Sequence, residues 1–320
     1  MQPMSNEQAA AGEALCAGEP VWARGAPTVS VVIPTYNRVG LLADALDSVA
    51  AQTFTDYEII VVDDGSQDAT RDYVTSRPLR IRYQWQSHQG VSAARNHAVR
   101  MARAELVAFL DSDDMWEPLF LERTVQWLRE HPEAGVVFTD FVSTDPRGGL
   151  LRGHRKRPWG GDITPRLFAS TFIATSALVA RTAVVREAGG FDTRLTHNED
   201  LDLWLRLSLR HRFGLILEPL CRRRCHPESL SRNGCSPDIL LRKAELLREF
   251  CENSGKAKIP AALARRRLAR LYYTAGKAFV RAGRAAEACQ ILRRSLADRP
   301  VYPKAWFWRF RAEIERAWRG

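Results

Sequence analysis

The sequence predicts an α/β fold, with a mostly parallel sheet flanked by helices, followed by an α-helical C-terminal region. Three observations predict it. Apolar runs of strand length, such as Val29-Ser30-Val31-Val32-Ile33 and Leu106-Val107-Ala108-Phe109-Leu110, alternate with stretches whose apolar residues recur at helical spacing. The early runs end in polar clusters, and parallel strands joined by right-handed crossovers bring such clusters to one sheet edge, where open α/β sheets bind ligands. Beyond about Asp238 the pattern is helical to the end.

Each element has its own signal. Residues 1–27 are rich in Ala, Gly and Glu without sustained periodicity and read as a flexible leader. Thr28 to Ile33 is a buried strand, ended by Pro34. Arg38 to Gln52 carries Leu41, Leu42, Ala45, Leu46 and Val49 at helical spacing. Tyr57 to Val62 is a second strand, Asp68 to Val74 a short helix, and Arg80 to Gln84 a third strand. A helix over Gly90 to Ala104 precedes the strand at Leu106, and another follows Pro118. Gly135 to Thr139 and Phe172 to Ala180 read as strands. Thr182 caps a short helix that ends at Gly189-Gly190. Asp200 to Arg212 is helical and Leu215 to Leu217 the last strand. Arg147 to Gly161 is a basic loop rich in Gly. The expected organisation is a leader (1–27), an α/β domain (28–237) and a helical extension (238–320).

Bulk properties narrow the classes. At 320 residues the chain can bury a sizeable core. No apolar run approaches the roughly 18–20 residues needed to span a bilayer, and the first residues lack a signal-peptide pattern. Six cysteines follow no disulfide framework, so a cytoplasmic setting is expected. Charge is uneven: Cys221 to Gly320 has 24 Lys+Arg against 9 Asp+Glu, and Met1 to Leu220 has 23 against 28. A basic tail on a mildly acidic body suits a phospholipid surface or a phosphate-bearing substrate, or is simply a solvated helical face. No nucleic-acid partner is expected.

Asp111-Ser112-Asp113-Asp114 follows the Leu106 strand directly. Clustered carboxylates repel and lose hydration, so they call for a cation, and hard oxygen ligands suit Mg2+ or Mn2+ bridging to a diphosphate. A strand-end turn with Asp caps is the plainer alternative. Local chemistry leaves both open.

The other strand ends carry Pro34-Thr35-Tyr36-Asn37-Arg38, then Asp63-Asp64-Gly65-Ser66, then Gly90-Val91-Ser92-Ala93-Ala94-Arg95-Asn96. Gly189-Gly190-Phe191-Asp192 and Asn198-Glu199-Asp200-Leu201-Asp202-Leu203-Trp204 come later. Together with the acid stretch, this succession resembles the inverting glycosyltransferases of family 2, which have the GT-A fold, over roughly Thr28 to Arg232. The resemblance implies transfer of a sugar from a nucleotide-sugar donor, expected to be UDP-linked, to a glycan, lipid-linked or protein acceptor.

By that resemblance, Pro34, Thr35, Tyr36 and Asn37 line the nucleoside end, and Asp64 accepts the uracil N–H, as an anionic acceptor suits an imide donor; an Asx-turn that only stabilises the Asp-Gly bend is the plainer alternative for Asp64. Gly90 lets the backbone approach the nucleotide. Arg95 and Asn96 either touch the donor or brace the sheet edge. Asp113 is the implied ligand of Mg2+ or Mn2+, Asp111 contacts the metal's water shell or the ribose, and Asp114 either stands behind the metal ligands or contacts the sugar. Asp200 matches the family's base, with Glu199 facing the acceptor; a plain helix N-terminal acid is the alternative for Asp200. His226 matches a His that completes the metal shell or touches the diphosphate in several relatives, against a surface-loop histidine. Arg222, Arg223 and Arg224 are candidates to hold the diphosphate. Cys221, Cys225 and His226 lack the fourth ligand and spacing of a zinc site.

Ala269 to Pro303 resembles one tetratricopeptide repeat, with Gly276, Phe279, Ala288, Leu292 and Pro300 at its small, aromatic and helix-ending positions. The final helix interleaves Trp306, Phe307, Trp308, Phe310 and Trp318 with arginines. It suits a membrane surface, at the inner face, or a protein contact, or a buried cap for the repeat, with the cap preferred. A catalytically inactive scaffold that docks partners through this tail is the competing function, and the full set of expected acids argues against it.

Overall fold

The computed structural model describes residues 25–151, 161–226 and 236–319. Most of the expected leader, residues 152–160 of the basic loop, and the stretch from Pro227 to Ser231 lie outside the described residues. The chain divides into two compact units: residues 1–161, 173–199 and 211–224, and residues 162–172, 200–210 and 225–320.

Among the described residues, the first unit is built on eight strands. These are β1 (Val29–Thr35), β2 (Tyr57–Asp63), β3 (Ile81–Trp85), β4 (Leu106–Phe109), β5 (Met115–Trp116), β6 (Ala134–Thr144), β7 (Leu178–Arg181) and β8 (Arg212–Arg224). They form one sheet in the order β3-β2-β1-β4-β7-β6-β8-β5. From β3 to β4 all pairings are parallel. On the other side β7 is antiparallel to both β4 and β6, β8 is parallel to β6, and β5 is antiparallel to β8. The sheet is therefore mixed, with its parallel half where the sequence alternates most regularly.

Helices α1 (Val39–Ala50), α2 (Thr70–Ser76), α3 (Val91–Met101), α4 (Phe120–Glu130) and α6 (Thr182–Glu187) belong to this unit. The core is continuous from Val31, Ile33, Leu42 and Leu46 through Val61, Ala108 and Leu110 to Phe120, Val125 and Val179. Strands β1 and β4 are buried along their whole length, which is why they read as unbroken apolar runs.

Several expected boundaries shift for local reasons. Pro34 does not end β1, which continues to Thr35. The Val32 carbonyl accepts from Leu110 N–H at 3.0 Å, so residues of that parity face β4, whose register with β1 stops at Val32↔Phe109. The missing donor of Pro34 thus falls where no partner strand remains. The strand expected over Phe172 to Ala180 is only Leu178–Arg181, because a 3-10 turn occupies Thr175–Ala177. Thr182 is the first residue of α6 and not its cap; its hydroxyl donates to the Ala104 carbonyl at 2.8 Å. Strand β8 is far longer than Leu215 to Leu217 and pairs with β6 through register shifts, the last of them before its Arg-rich end.

The second unit is helical. It contains α5 (Thr164–Ala169), nearly all of α7 (Glu199–Ser208), and α8 (Pro237–Glu252), α9 (Ala261–Arg281), α10 (Ala285–Asp298) and α11 (Pro303–Arg319). Thr164 Oγ1 donates to the Ser208 carbonyl at 2.9 Å, Lys243 Nζ to Thr171 Oγ1 at 3.1 Å, and Lys258 pairs with Asp162 at 2.8 Å. Segments from the middle of the sequence are therefore stitched into the tail's helices. In the expected repeat, Phe279, Ala288 and Leu292 are fully buried. A Cβ on Gly276 would stand 2.6 Å from Leu292 Cγ, so this glycine lets α9 and α10 approach closely. The aromatic residues of α11 are not a buried cap: Ala305 and Ala312 are its fully buried residues, while Trp306, Phe307, Phe310 and Trp318 are exposed.

Candidate active site

The parallel half of the sheet places the ends of β1, β2, β3 and β4 on one edge, and backbone hydrogen bonds continue past the strands. Asp64 N–H donates to the Thr35 carbonyl at 2.9 Å and Gln86 N–H to the Asp63 carbonyl at 2.9 Å. The polar clusters are thus held side by side.

At the end of β1, Thr35 is buried and its Oγ1 has no hydrogen-bond partner. Tyr36 is 41% exposed and stacks on His88, with centroids 4.2 Å apart. Asn37 takes a left-handed backbone (φ 50°); its N–H donates to Ser66 Oγ at 2.9 Å and its Oδ1 accepts from Gln67 N–H at 2.7 Å. Asparagine tolerates that conformation better than most residues, and here it locks the β1 loop to the loop after β2.

Asp64 is buried, and its carboxylate accepts three hydrogen bonds. Its Oδ1 accepts from Gln86 Nε2 at 2.7 Å and Gln89 N–H at 3.0 Å. Its Oδ2 accepts from Gly90 N–H at 2.8 Å and faces His88 Nδ1 at 2.8 Å. The same Nδ1 is hydrogen-bonded to the Asp64 main-chain carbonyl at 3.0 Å, so three donors bind the carboxylate, which can accept about four. Gly90 has φ 92°, a conformation L side chains rarely adopt, and a Cβ there would meet nothing within 4 Å. It opens α3 and its N–H ties that opening to Asp64.

Beyond β4, the oxygens of Asp111, Asp113 and Asp114 lie within 4.8 Å of one another. Each is held differently. Asp111 Oδ1 accepts from Arg95 Nη2 at 2.6 Å. Asp113 Oδ2 accepts from Arg38 Nη1 at 3.1 Å. Asp114 accepts from Ser176 Oγ at 2.6 Å and from Arg224 N–H at 2.9 Å. Burial raises the Asp111 carboxyl above its ordinary range, with Arg95 opposing and Asp113 adding to the rise. Burial and then the charges of Asp113 and Asp111 push Asp114 up further. An all-oxygen donor set under mutual repulsion fits a hard divalent cation. The described group contains Asp114 and does not contain His226.

Arg95 lies at the centre. It is 4% exposed and bridges Asp111 to Glu199, whose Oε1 accepts from Nη1 at 2.8 Å, with its guanidinium over the Phe191 ring at 5.1 Å. Burial pulls the guanidinium down, but Asp111 and Glu199 together hold it above its ordinary value. Asn96 gives both amide atoms to the Phe191 backbone, at 2.7 and 2.8 Å. Of the two readings open for Arg95 and Asn96, this is the geometry of braces. Asn198, the other non-glycine left-handed residue among the described ones (φ 62°), sets the backbone just before Glu199. Asp200 follows in the first turn of α7, with its Oδ1 accepting from Leu201 N–H at 2.6 Å.

His226, just past β8, is 6% exposed, unlike the surface histidine of the plainer alternative. Arg222 pairs with Glu117 at 2.5 Å and Arg224 with Asp44 at 2.7 Å, while Arg223 stacks over Phe141. Trp116 is core: it stacks on Phe120 at 4.3 Å and donates from Nε1 to the Ser176 carbonyl at 2.6 Å. Sequence reasoning assigned no role to Arg38, His88 or Ser176. Arg38 closes the quoted first motif, but nothing in the sequence pairs it with Asp113.

Solved structures define the class of this fold. S. aureus TarS 1-349 in complex with UDP-GlcNAc covers 91% of this chain and 91% of its own length, with a TM-score of 0.60 at 18% identity. The mannosyltransferase PcManGT from Pyrobaculum calidifontis, in complex with GDP-Man and Mn2+, covers 92% and 88% with a TM-score of 0.56 at 21% identity. The likeness is one of architecture, and the architecture is GT-A. Through residues 30–187, which match the sequence model described as Glycosyl transferase family 2, the chain belongs to that family.

Curated relatives agree. An uncharacterized glycosyltransferase of Rickettsia bellii (strain RML369-C) is 28% identical over 198 residues, 61% of this chain and 28% of that protein. Validoxylamine A glucosyltransferase of Streptomyces hygroscopicus subsp. jinggangensis (strain 5008) is 42% identical over 127 residues, 38% of this chain and 30% of that protein. The match thus spans about a third of the length of these relatives.

Proposed function

We propose that the chain is an inverting glycosyltransferase. It moves a sugar from a UDP-linked donor to a hydroxyl of a glycan, lipid-linked or protein acceptor, with Mg2+ or Mn2+ at the donor diphosphate. The observation that carries the reading is the three-acid cluster at the carboxyl end of β4, on the same sheet edge as Tyr36 and Asp64. The UDP-GlcNAc complex of TarS supports a uridine donor, and the Mn2+ in PcManGT supports a divalent ion.

His88 outlines the place for the base. Its flat ring lies on Tyr36 and its Nδ1 meets Asp64 Oδ2, the two contacts expected of a base carrying an imide N–H. An entering base takes the place of that imidazole, and the buried Thr35 hydroxyl gains a partner. Asp113 and Asp111, with Asp114 behind them, would hold the cation; when bound, it supplies a Lewis acid to the diphosphate oxygens. His226 would touch the diphosphate or the ion. Arg38 and Arg95 fix the orientation of Asp113 and Asp111.

Asp200 takes the acceptor hydroxyl's proton as that oxygen attacks the anomeric carbon. The bond from that carbon to the diphosphate oxygen breaks on the opposite face, and configuration inverts. Glu199, held by Arg95, orients the acceptor side. A panel of nucleotide sugars with Mn2+, read by mass spectrometry of products and by calorimetry, tests the reading. Asp113→Ala should abolish metal-dependent donor binding, and Asp200→Asn should keep binding while transfer falls at least about a hundredfold. Full transfer by the Asp200→Asn variant removes Asp200 from the base role; absence of binding to any donor overturns the assignment.

A further inference from the structure

The helical unit ends in a helix that turns its large apolar residues outward. On α11, Trp306, Phe307, Phe310, Ile314 and Trp318 are 50%, 63%, 66%, 43% and 88% exposed. Phe307, Phe310, Ile314 and Trp318 follow one another at three or four residues, and Trp306 stands four before Phe310, so the five form one stripe. Ala305 and Ala312, seven apart, are buried on the other side. The helix is thus seated by its small residues, the reverse of the usual arrangement for an amphipathic helix on its own core.

The charge around the stripe is one-sided. From Ala261 to Gly320 the sequence has 15 Lys+Arg and 4 Asp+Glu. All four acids are already paired: Glu287 with Arg284, Asp298 with Arg248, Glu313 with Arg309, and Glu315 with Arg311. Lys277, Arg281 and Arg311 lie over the Trp308 ring at 5.5, 5.7 and 5.1 Å, and Arg309 over Trp306 at 5.2 Å. Arg309 and Arg311 are offset by Glu313 and Glu315, so the net positive charge beside the stripe comes from Lys277 and Arg281 of α9 and from the surplus of basic residues over the whole stretch. Such a surplus of cations calls for an anionic counter-surface.

We propose that α11 and the cationic residues beside it are a docking face for an anionic phospholipid surface. The aromatic stripe lies in the plane of the interface, and the lysine and arginine heads reach the headgroup phosphates while their stems cover apolar surface. No helix among the described residues is long and apolar enough to cross a membrane, so contact of this kind is in-plane. A second copy of the chain is the poorer occupant, because two such faces would bring uncompensated cations together. The proposal stands apart from the transferase reading and does not need it.

Flotation of the full chain with vesicles of phosphatidylcholine, with and without phosphatidylglycerol, tests it. The chain should float with the anionic vesicles, bind neutral ones at least about tenfold more weakly, and be released by salt. A Phe307→Glu/Phe310→Glu variant, whose far-ultraviolet circular dichroism should match the parent because both positions are exposed, should lose about tenfold or more of the vesicle binding. Failure to float, or undiminished binding by that variant, overturns the proposal. So does a concentration-dependent dimer in sedimentation velocity that the variant abolishes while vesicle binding is absent.

Discussion

At the scale of single residues, Arg95 sets the electrostatics of the site. One buried guanidinium serves two carboxylates, Asp111 and Glu199, from different stretches of chain. Removing it leaves both uncompensated in a buried setting, which typically costs about 3–5 kcal/mol. Arg95→Met is therefore expected to lower the urea midpoint sharply. Arg95→Lys should recover only part of the loss, since one ammonium cannot reproduce the two-sided fork. A midpoint unchanged in Arg95→Met would show that the bridge is not a structural tie. The residue types at this site were legible in the sequence, because the acids, the Arg-Asn pair and the glycines stand in motifs of fixed spacing. Their duties were less legible. Asp64 reads as an open acceptor in the sequence, yet three donors from residues 86–90 are bonded to its carboxylate and the His88 ring lies against it. Which lone pairs are taken depends on loop geometry that spacing does not encode.

At the scale of elements, Arg248 ties three helices together: it reaches from α8 to the Tyr272 hydroxyl on α9 at 2.9 Å and to Asp298 on α10 at 2.5 Å. Burial nevertheless raises the Asp298 carboxyl above its ordinary range, with Arg248 opposing. The folded chain therefore binds this proton more tightly than the unfolded chain, and the stability that Asp298 contributes falls as pH climbs from about 4 through its folded value. Asp298→Asn, which stays neutral, should gain on the parent as pH rises across that window and match it below. Urea midpoints at acid and neutral pH check this; a variant that loses ground at neutral pH contradicts it. The strands buried on both faces were legible because nothing but apolar residues survives there. The two-residue β5 was not, since Met115-Trp116 carries no period. Nor was the 3-10 turn before β7, whose reason is tertiary: Ser176 serves Asp111, Asp114 and Trp116 at once.

At the scale of the whole molecule, the sequence suggests a body followed by a tail, while the compact units interleave: residues 162–172 and 200–210 group with the tail's helices. A linear reading does not reveal this, because the ties that stitch the segments, such as Thr164 to Ser208 and Lys258 to Asp162, join residues far apart in the chain. If the acid cluster and the base place bind as proposed, ligand binding stabilises the folded chain by mass action, about 2.7 kcal/mol at a hundredfold excess over Kd. Thermal unfolding with UDP and Mn2+ together should then occur several degrees higher than without them, and Asp113→Ala should lose the part that depends on Mn2+. An Asp113→Ala protein that keeps the full shift would place the ion elsewhere.

The imidazole of His88 on Tyr36 has one more consequence. If a nucleotide base binds on Tyr36 and Asp64 as proposed, the resting protein carries its own competitor, a ring covalently tethered at high effective concentration to that surface. Measured affinity for any nucleotide is then the intrinsic affinity diminished by the fraction of time the ring is away. Weak nucleotide binding by this chain would accordingly be a property of occupancy, and the strength of the contacts beneath would be seen only once His88 is replaced.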